Sequence, residues 1–158
     1  MLFAKNDLPS LNRPRHSAGD LVPESGPPHT ILTIFDAEDD SRSFDVIARQ
    51  LRWEHHPSRT LPEALVLLRK HRFSAIVLDQ ALWGTAERSV MDASRQPDYS
   101  PKLILARRFS EGRDVGAVAD DGVFHWLWKP FRKDEVRQAL GFALSQCQRE
   151  WEQHQRNR

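Results

Sequence analysis

An open α/β sheet, doubly wound from five parallel strands with helices on both faces, is the fold class this sequence predicts. Three observations predict it. Short β-rich runs alternate with amphipathic segments from His29 onward, and the connections between them are short. Charged residues stand at the ends of the apolar runs, where an open parallel sheet gathers its functional groups. Parallel neighbours need crossover helices, and these cover both faces.

The elements follow in order. Thr30–Phe35 is a β-rich run that ends in the acidic segment Asp36–Asp40. Ser41–Trp53 carries Phe44, Ile47, Ala48 and Leu51 at helical spacing. His55–Arg59 is a weaker strand interrupted by Pro57, which a sheet tolerates only at its edge. Thr60 and Glu63 form a capping-box signature, opening a helix expected to bury Ala64, Leu65, Leu67 and Leu68. Phe73–Leu78 is the strongest strand and delivers Asp79 at its carboxyl end. Thr85–Arg95 reads as a short helix and Pro101–Ala106 as a strand. Glu111–Ala119 is a weak helix, weakened further by Gly112 and Gly116. Val123–Trp128 is the fifth strand, ending at Lys129-Pro130. The last helix starts near Lys133 with Val136, Leu140, Ala143, Leu144, Cys147 and Trp151 on one face. With Pro57 placing His55–Arg59 at the edge, the expected strand order is 2-1-3-4-5.

Composition bounds the function. Lys and Arg total 23 against 22 Asp and Glu, so the net charge of +1 gives no bulk attraction to nucleic acid or anionic lipid. No basic stripe with interleaved aromatics marks a nucleic-acid surface. No apolar run approaches the roughly 20 residues of a membrane span, and no secretory signal is visible, so a cytoplasmic protein is expected. Cys147 is the one cysteine and has no partner for an internal disulfide. Five of the ten prolines fall before His29, so residues 1–28 read as a flexible Pro-rich leader, 29–145 as the folded unit and 146–158 as a helical extension.

Asp36, Asp79 and Lys129 stand after the first, third and fifth strands. Two carboxylates and an ammonium converging at one sheet edge can hold a divalent cation and a phosphoryl group, and magnesium suits such a shallow oxygen site. Read singly, each has a plainer role: Asp36 as a helix cap, Asp79 as a strand-end charge, Lys129 as a surface lysine. Glu38, Asp39 and Asp40 read as first-turn residues that complement the helix dipole rather than as ligands. The seven histidines show no ligand spacing. His55 and His56 are adjacent and point apart, so no metal role is assigned to them.

The segments Ile31–Asp36, Ala64-Leu65, Ala75–Asp79, Pro101–Ala106 and Trp126–Phe131 together resemble the receiver domain of two-component response regulators, with its flavodoxin-like fold. The resemblance covers about 29–144, and the 43 positions from Asp36 to Asp79 fit the family's interval between acidic pocket and phosphoacceptor. Lys129-Pro130-Phe131 after a hydrophobic strand is its most specific piece. The resemblance implies Asp79 as phosphoacceptor from a kinase phosphohistidine, with Asp36, Asp79 and the Ala81 main-chain carbonyl as magnesium ligands. It implies Lys129 as the cation that pairs with Asp79 and then with a phosphoryl oxygen. Ala106 and Trp126 fall on the two switch positions. The implied partners are a histidine kinase or phosphotransfer protein and a downstream protein, with no nucleic acid and no membrane.

Four departures stand against the family pattern. Phe35 replaces the first acid, which weakens the expected magnesium site. Ala106 replaces a hydroxyl residue, and a methyl neither donates nor accepts a hydrogen bond. Trp126 replaces Tyr or Phe, and Trp83 stands where a proline is expected. Two functions therefore compete. One is a stand-alone phosphoacceptor receiver, acting at most by self-phosphorylation and autodephosphorylation and signalling by protein contact. The other is a pseudo-receiver interaction module that does not cycle phosphate. A flavin-binding protein would need a glycine- and hydroxyl-rich phosphate loop where the acidic Asp36–Asp40 stands. The terminal helix, with Trp151 expected to project from it, is a candidate homodimer surface.

Overall fold

The computed structural model describes residues 26–108 and 122–158. Among them are five strands: β1 (Thr30–Ile34), β2 (Glu54–Ser58), β3 (Ala75–Asp79), β4 (Lys102–Arg108) and β5 (His125–Lys129). The helices are α1 (Glu38–Gln50), α2 (Leu61–Lys70), α3 (Glu87–Ser94) and α4 (Lys133–Arg156), with a 3₁₀ turn at Gln80–Leu82. All strand pairs are parallel and the order is β2-β1-β3-β4-β5, as the sequence predicts. Most of the expected leader and the helix expected at Glu111–Ala119 lie outside the described residues.

Every residue of β1 and β3 is buried, because helices cover both faces of the sheet there. β2 is the edge strand. The Glu54 N–H donates inward to the His29 carbonyl at 2.9 Å, so the two-residue period turns position 57 outward, where proline's missing N–H costs no ladder bond. One apolar layer, with Phe35, Phe44, Ile47, Val77, Ala106, Val136 and Leu140, fills the space between the sheet and α1 and α4. The opposite layer, with Leu32, Ile34, Leu68, Ile76, Val90 and Leu105, lies under α2 and α3.

Local boundaries shift for identifiable reasons. α1 opens at Glu38 rather than Ser41, because Glu38, Asp39 and Asp40 supply an acidic first turn that suits a helix N-terminus. It ends before Trp53, with Arg52 in the left-handed region at φ 65°. α2 has the expected Thr60 cap, whose Oγ1 accepts from the Glu63 N–H at 3.4 Å, but of its four apolar candidates only Ala64 and Leu68 are fully buried. No described helix is long and apolar enough to cross a membrane.

α4 is one continuous helix of 24 residues, and its distal turns dock instead of projecting. Cys147 is fully buried, with its thiol donating to the Ser74 carbonyl at 3.3 Å, and burial pushes its pKa up to about 12. Glu150 takes the Lys102 ammonium at 2.5 Å and the Ser100 N–H at 3.0 Å. Trp151, expected to stand exposed, is half-buried. The last turns thus tie the amino ends of β3 and β4 together. Truncation after Ser145 should therefore lower stability by about 2–4 kcal/mol, through the lost burial and the lost partners of Lys102 and Ser100. Urea denaturation of the two chains measures it.

His55 adds a pH dependence. Its Nδ1 lies 2.9 Å from Asp45 Oδ1 and its Nε2 2.7 Å from Thr33 Oγ1. A neutral ring satisfies both, donating from Nδ1 and accepting the Thr33 hydroxyl at Nε2. Burial lowers its pKa below the ordinary 6.5, and the hydrogen bond to Asp45 only partly offsets this. The unfolded imidazole takes a proton at a higher pH than the folded one, so stability should fall as pH drops below about 6.5. Thermal midpoints of wild type and His55→Asn across pH 7.5 to 5.5 test this, with a flatter profile expected for the variant.

Candidate functional site

The carboxyl ends of β1, β3 and β5 meet at one edge of the sheet, and the side chains there are charged. Asp79 is the last residue of β3. Its Oδ1 accepts the Ala81 N–H at 3.0 Å, capping the 3₁₀ turn, and its Oδ2 accepts Lys129 Nζ at 2.7 Å. Lys129 closes β5, with a cis peptide to Pro130. Its ammonium also donates to Asp40 Oδ2 at 3.0 Å. All three side chains are deep, with residue exposures of 5% for Asp79, 5% for Lys129 and 8% for Asp40. Arg108, at the end of β4 and half-exposed, donates to Asp40 Oδ1 at 3.3 Å.

The structure brings Asp79 and Lys129 into contact, while Asp36, two residues past the end of β1, is exposed and accepts Arg59 Nη2 at 3.0 Å through its main-chain carbonyl. The second carboxylate on Lys129 is Asp40, so its role is not the helix-dipole one expected from the sequence. Its signal was present: Asp40 lies four residues before Phe44 and continues the buried stripe of Phe44, Ile47 and Ala48 back to the first turn of α1. A charge on an apolar stripe needs a buried partner. Glu38 and Asp39 are exposed, as the dipole reading requires.

The replaced positions have structural uses. Phe35 is fully buried and packs on Phe44 and Phe131, with ring centroids 5.9 Å and 5.4 Å away, so an aromatic cluster lies under the charged edge. Lys129 Nζ lies 6.0 Å from the Phe35 ring centroid. Ala106 is fully buried and pairs in register with Asp79 across β3 and β4. Trp126 is half-buried. The guanidinium of the fully buried Arg107 lies 4.9 Å from its ring centroid and 5.2 Å from that of Trp128. Trp83 caps the end of the 3₁₀ turn and packs on the opposite layer of the sheet.

The donor set is made of hard oxygens, which suits magnesium. The Asp79 oxygens accept from the Ala81 N–H and Lys129 and the Asp40 oxygens from Lys129 and Arg108, and a carboxylate oxygen has a second lone pair to offer a cation; the Ala81 carbonyl lies two residues beyond Asp79 in sequence, and Asp36 is exposed.

No family model matches the sequence, and a search of curated proteins returns no match. Solved structures do match. The receiver domain of a sensor histidine kinase from Pseudomonas aeruginosa, with a magnesium ion in its active-site cleft, aligns with a TM-score of 0.61 at 18% identity, over 75% of this chain and 98% of that one. The signal receiver domain of an HD-domain-containing protein from Pseudomonas fluorescens gives 0.61 at 21% identity, over 75% and 95%. A response regulator receiver domain protein from Clostridium thermocellum gives 0.60 at 14%, over 73% and 94%. The fold is that of a receiver domain. Within this receiver fold the Asp79–Lys129 contact falls at the carboxyl edge of the sheet, where the sequence resemblance puts the phosphoacceptor and its lysine.

Removing one partner from a buried ion cluster leaves an uncompensated charge. Lys129→Met, which strands two buried carboxylates, should cost about 3–5 kcal/mol. Asp40→Asn leaves the Asp79–Lys129 pair intact and should cost clearly less. Urea denaturation of both variants at neutral pH tests the ranking, and equal costs would show that the Asp79–Lys129 contact adds no stability once Asp40 is lost.

Proposed function

We propose that this chain is a response-regulator receiver that accepts a phosphoryl group on Asp79 and signals through protein–protein contacts, with 29–145 as the receiver unit and 146–158 as its helical extension. The observation that carries the reading is the buried Asp79–Lys129 pair at 2.7 Å, at the carboxyl edge of a receiver-type sheet. The donor would be a phosphohistidine on a histidine kinase or phosphotransfer protein. An Asp79 carboxylate oxygen forms a bond to phosphorus as the phosphorus–nitrogen bond breaks. The imidazole leaves with the bonding pair and takes up a proton, and Asp79 becomes an acyl phosphate.

Lys129 moves from the carboxylate to a phosphoryl oxygen as charge spreads over the transferring group, which is the main electrostatic task in such chemistry. Asp40 keeps the ammonium anchored at 3.0 Å while its contact with Asp79 is exchanged. The Ala81 N–H holds the other Asp79 oxygen and fixes the plane of the carboxylate. Asp36, Asp79 and the Ala81 carbonyl would hold magnesium, with Asp40 supplying negative charge that Phe35 does not. The ion would neutralise phosphoryl charge. A soluble, cytoplasmic setting fits a kinase donor.

The pseudo-receiver reading is favoured by one feature, the pairing of Phe35 with Ala106. An aromatic ring replaces an acid and a methyl replaces the hydroxyl that would bind the phosphoryl group. Intact-mass measurement after incubation with magnesium and acetyl phosphate decides between the two. A phosphate adduct on wild type that is lost in Asp79→Asn supports phosphotransfer. No adduct at any magnesium level, together with an adduct in a Phe35→Asp, Ala106→Thr variant, identifies a pseudo-receiver.

A further inference from the structure

The edge strand carries a second cluster of polar side chains at the far end of the sheet from Asp79. Glu54 and His56 are two apart on β2 and so project to the same face, toward α2. His71 follows the last turn of α2, with its backbone N–H fixed on the Leu67 carbonyl at 3.0 Å. The His56 and His71 rings face each other with centroids 4.2 Å apart, and His56 Nε2 lies 2.5 Å from Glu54 Oε2. One ligand atom from each of the three residues lies within 4.8 Å of the other two. Phe73, 1% exposed, closes the floor with its ring edge-on to both imidazoles.

We propose that Glu54, His56 and His71 form a binding site for a zinc-class divalent ion. Two imidazole nitrogens and one carboxylate oxygen are the three-ligand set that tetrahedral zinc uses when it keeps a water in its fourth position. Ligand atoms around such an ion are about 3.3 Å apart, given metal–ligand bonds of about 2.0–2.1 Å, so small rotations of the exposed Glu54 and the half-buried His56 and His71 side chains close the site. The nitrogen-rich set discriminates against magnesium, which prefers oxygen ligands. Burial and the neighbouring His56 favour the neutral, metal-binding form of His71. Adjacent His55 takes no part: it points to the opposite face, to Asp45 and Thr33. The sequence could not reveal the site because its third ligand is 15 positions beyond His56, brought there by α2.

A bound ion would clip the edge strand to the turn that leads into β3. Cobalt(II) titration of the full chain tests the site, since a tetrahedral cobalt centre absorbs strongly in the visible. Expected are a visible band at micromolar cobalt, its displacement by zinc and its persistence in excess magnesium. His56→Ala and His71→Ala should each weaken binding about tenfold or more. Glu54→Gln, which keeps the shape of the surface, should weaken it too. His125→Ala and Asp79→Asn should leave it unchanged, which separates the result from any failure of phosphotransfer. No band at micromolar cobalt, or equal binding in the His56→Ala, His71→Ala double variant with an unchanged circular dichroism spectrum, overturns the proposal.

Discussion

A buried ammonium between two carboxylates is the constraint on which this molecule's charged edge depends. Lys129 is 5% exposed and bonds to Asp79 at 2.7 Å and Asp40 at 3.0 Å. Taking such charges from water is costly, and the cost is offset only when each finds partners of good geometry. The three residues come from β3, β5 and the first turn of α1, so the cluster forms only when the sheet has closed in its observed order. Asp79 is further held by the Ala81 N–H, and Asp40 by Arg108. The edge is thus preorganised electrostatically, while the apolar layer beneath it contributes most of the burial.

That layer explains why Phe35 is tolerated. At the end of β1 a carboxylate would face the same ammonium, and its removal would leave Lys129 short of negative charge. Asp40 fills that deficit from α1, and the vacated volume is packed by the Phe35, Phe44 and Phe131 rings. The exchange changes the chemistry of the edge. A carboxylate at position 35 would offer oxygen to a cation, whereas Asp40 already gives one oxygen to Lys129 and the other to Arg108.

Much of this was legible in the sequence because parallel sheets write their pattern plainly. The buried runs of β1 and β3, Pro57 at the edge and the strand-end Asp79 and Lys129 follow from period, composition and topology. Asp40 was not legible, since an acidic first turn has a local explanation in the helix dipole and masks a tertiary one. Nor was the docking of α4 beyond Ser145. Its stripe shows which face is apolar, but not that Lys102 and the Ser100 N–H lie within reach of Glu150. His71 meets His56 only through the path of α2, which no spacing rule encodes.

The readout side of the receiver fold is altered more than its charged edge. A hydroxyl at position 106 would give a phosphoryl group something to pull on, and a free aromatic at position 126 would give that pull something to move. Here a methyl occupies the first position, and Arg107 lies against the rings of both Trp126 and Trp128. A guanidinium held at aromatic faces in a dry setting gains more than an exposed one does, on the order of 2 kcal/mol for each desolvated pair. Rotating Trp126 would give up part of that gain. Phosphorylation at Asp79 would therefore act first where its charge is closest, on Lys129, and through Lys129 on Asp40 and the first turn of α1. In the proposed receiver, the face placed to report the state of Asp79 would be the one carrying α1, not the one carrying Trp126.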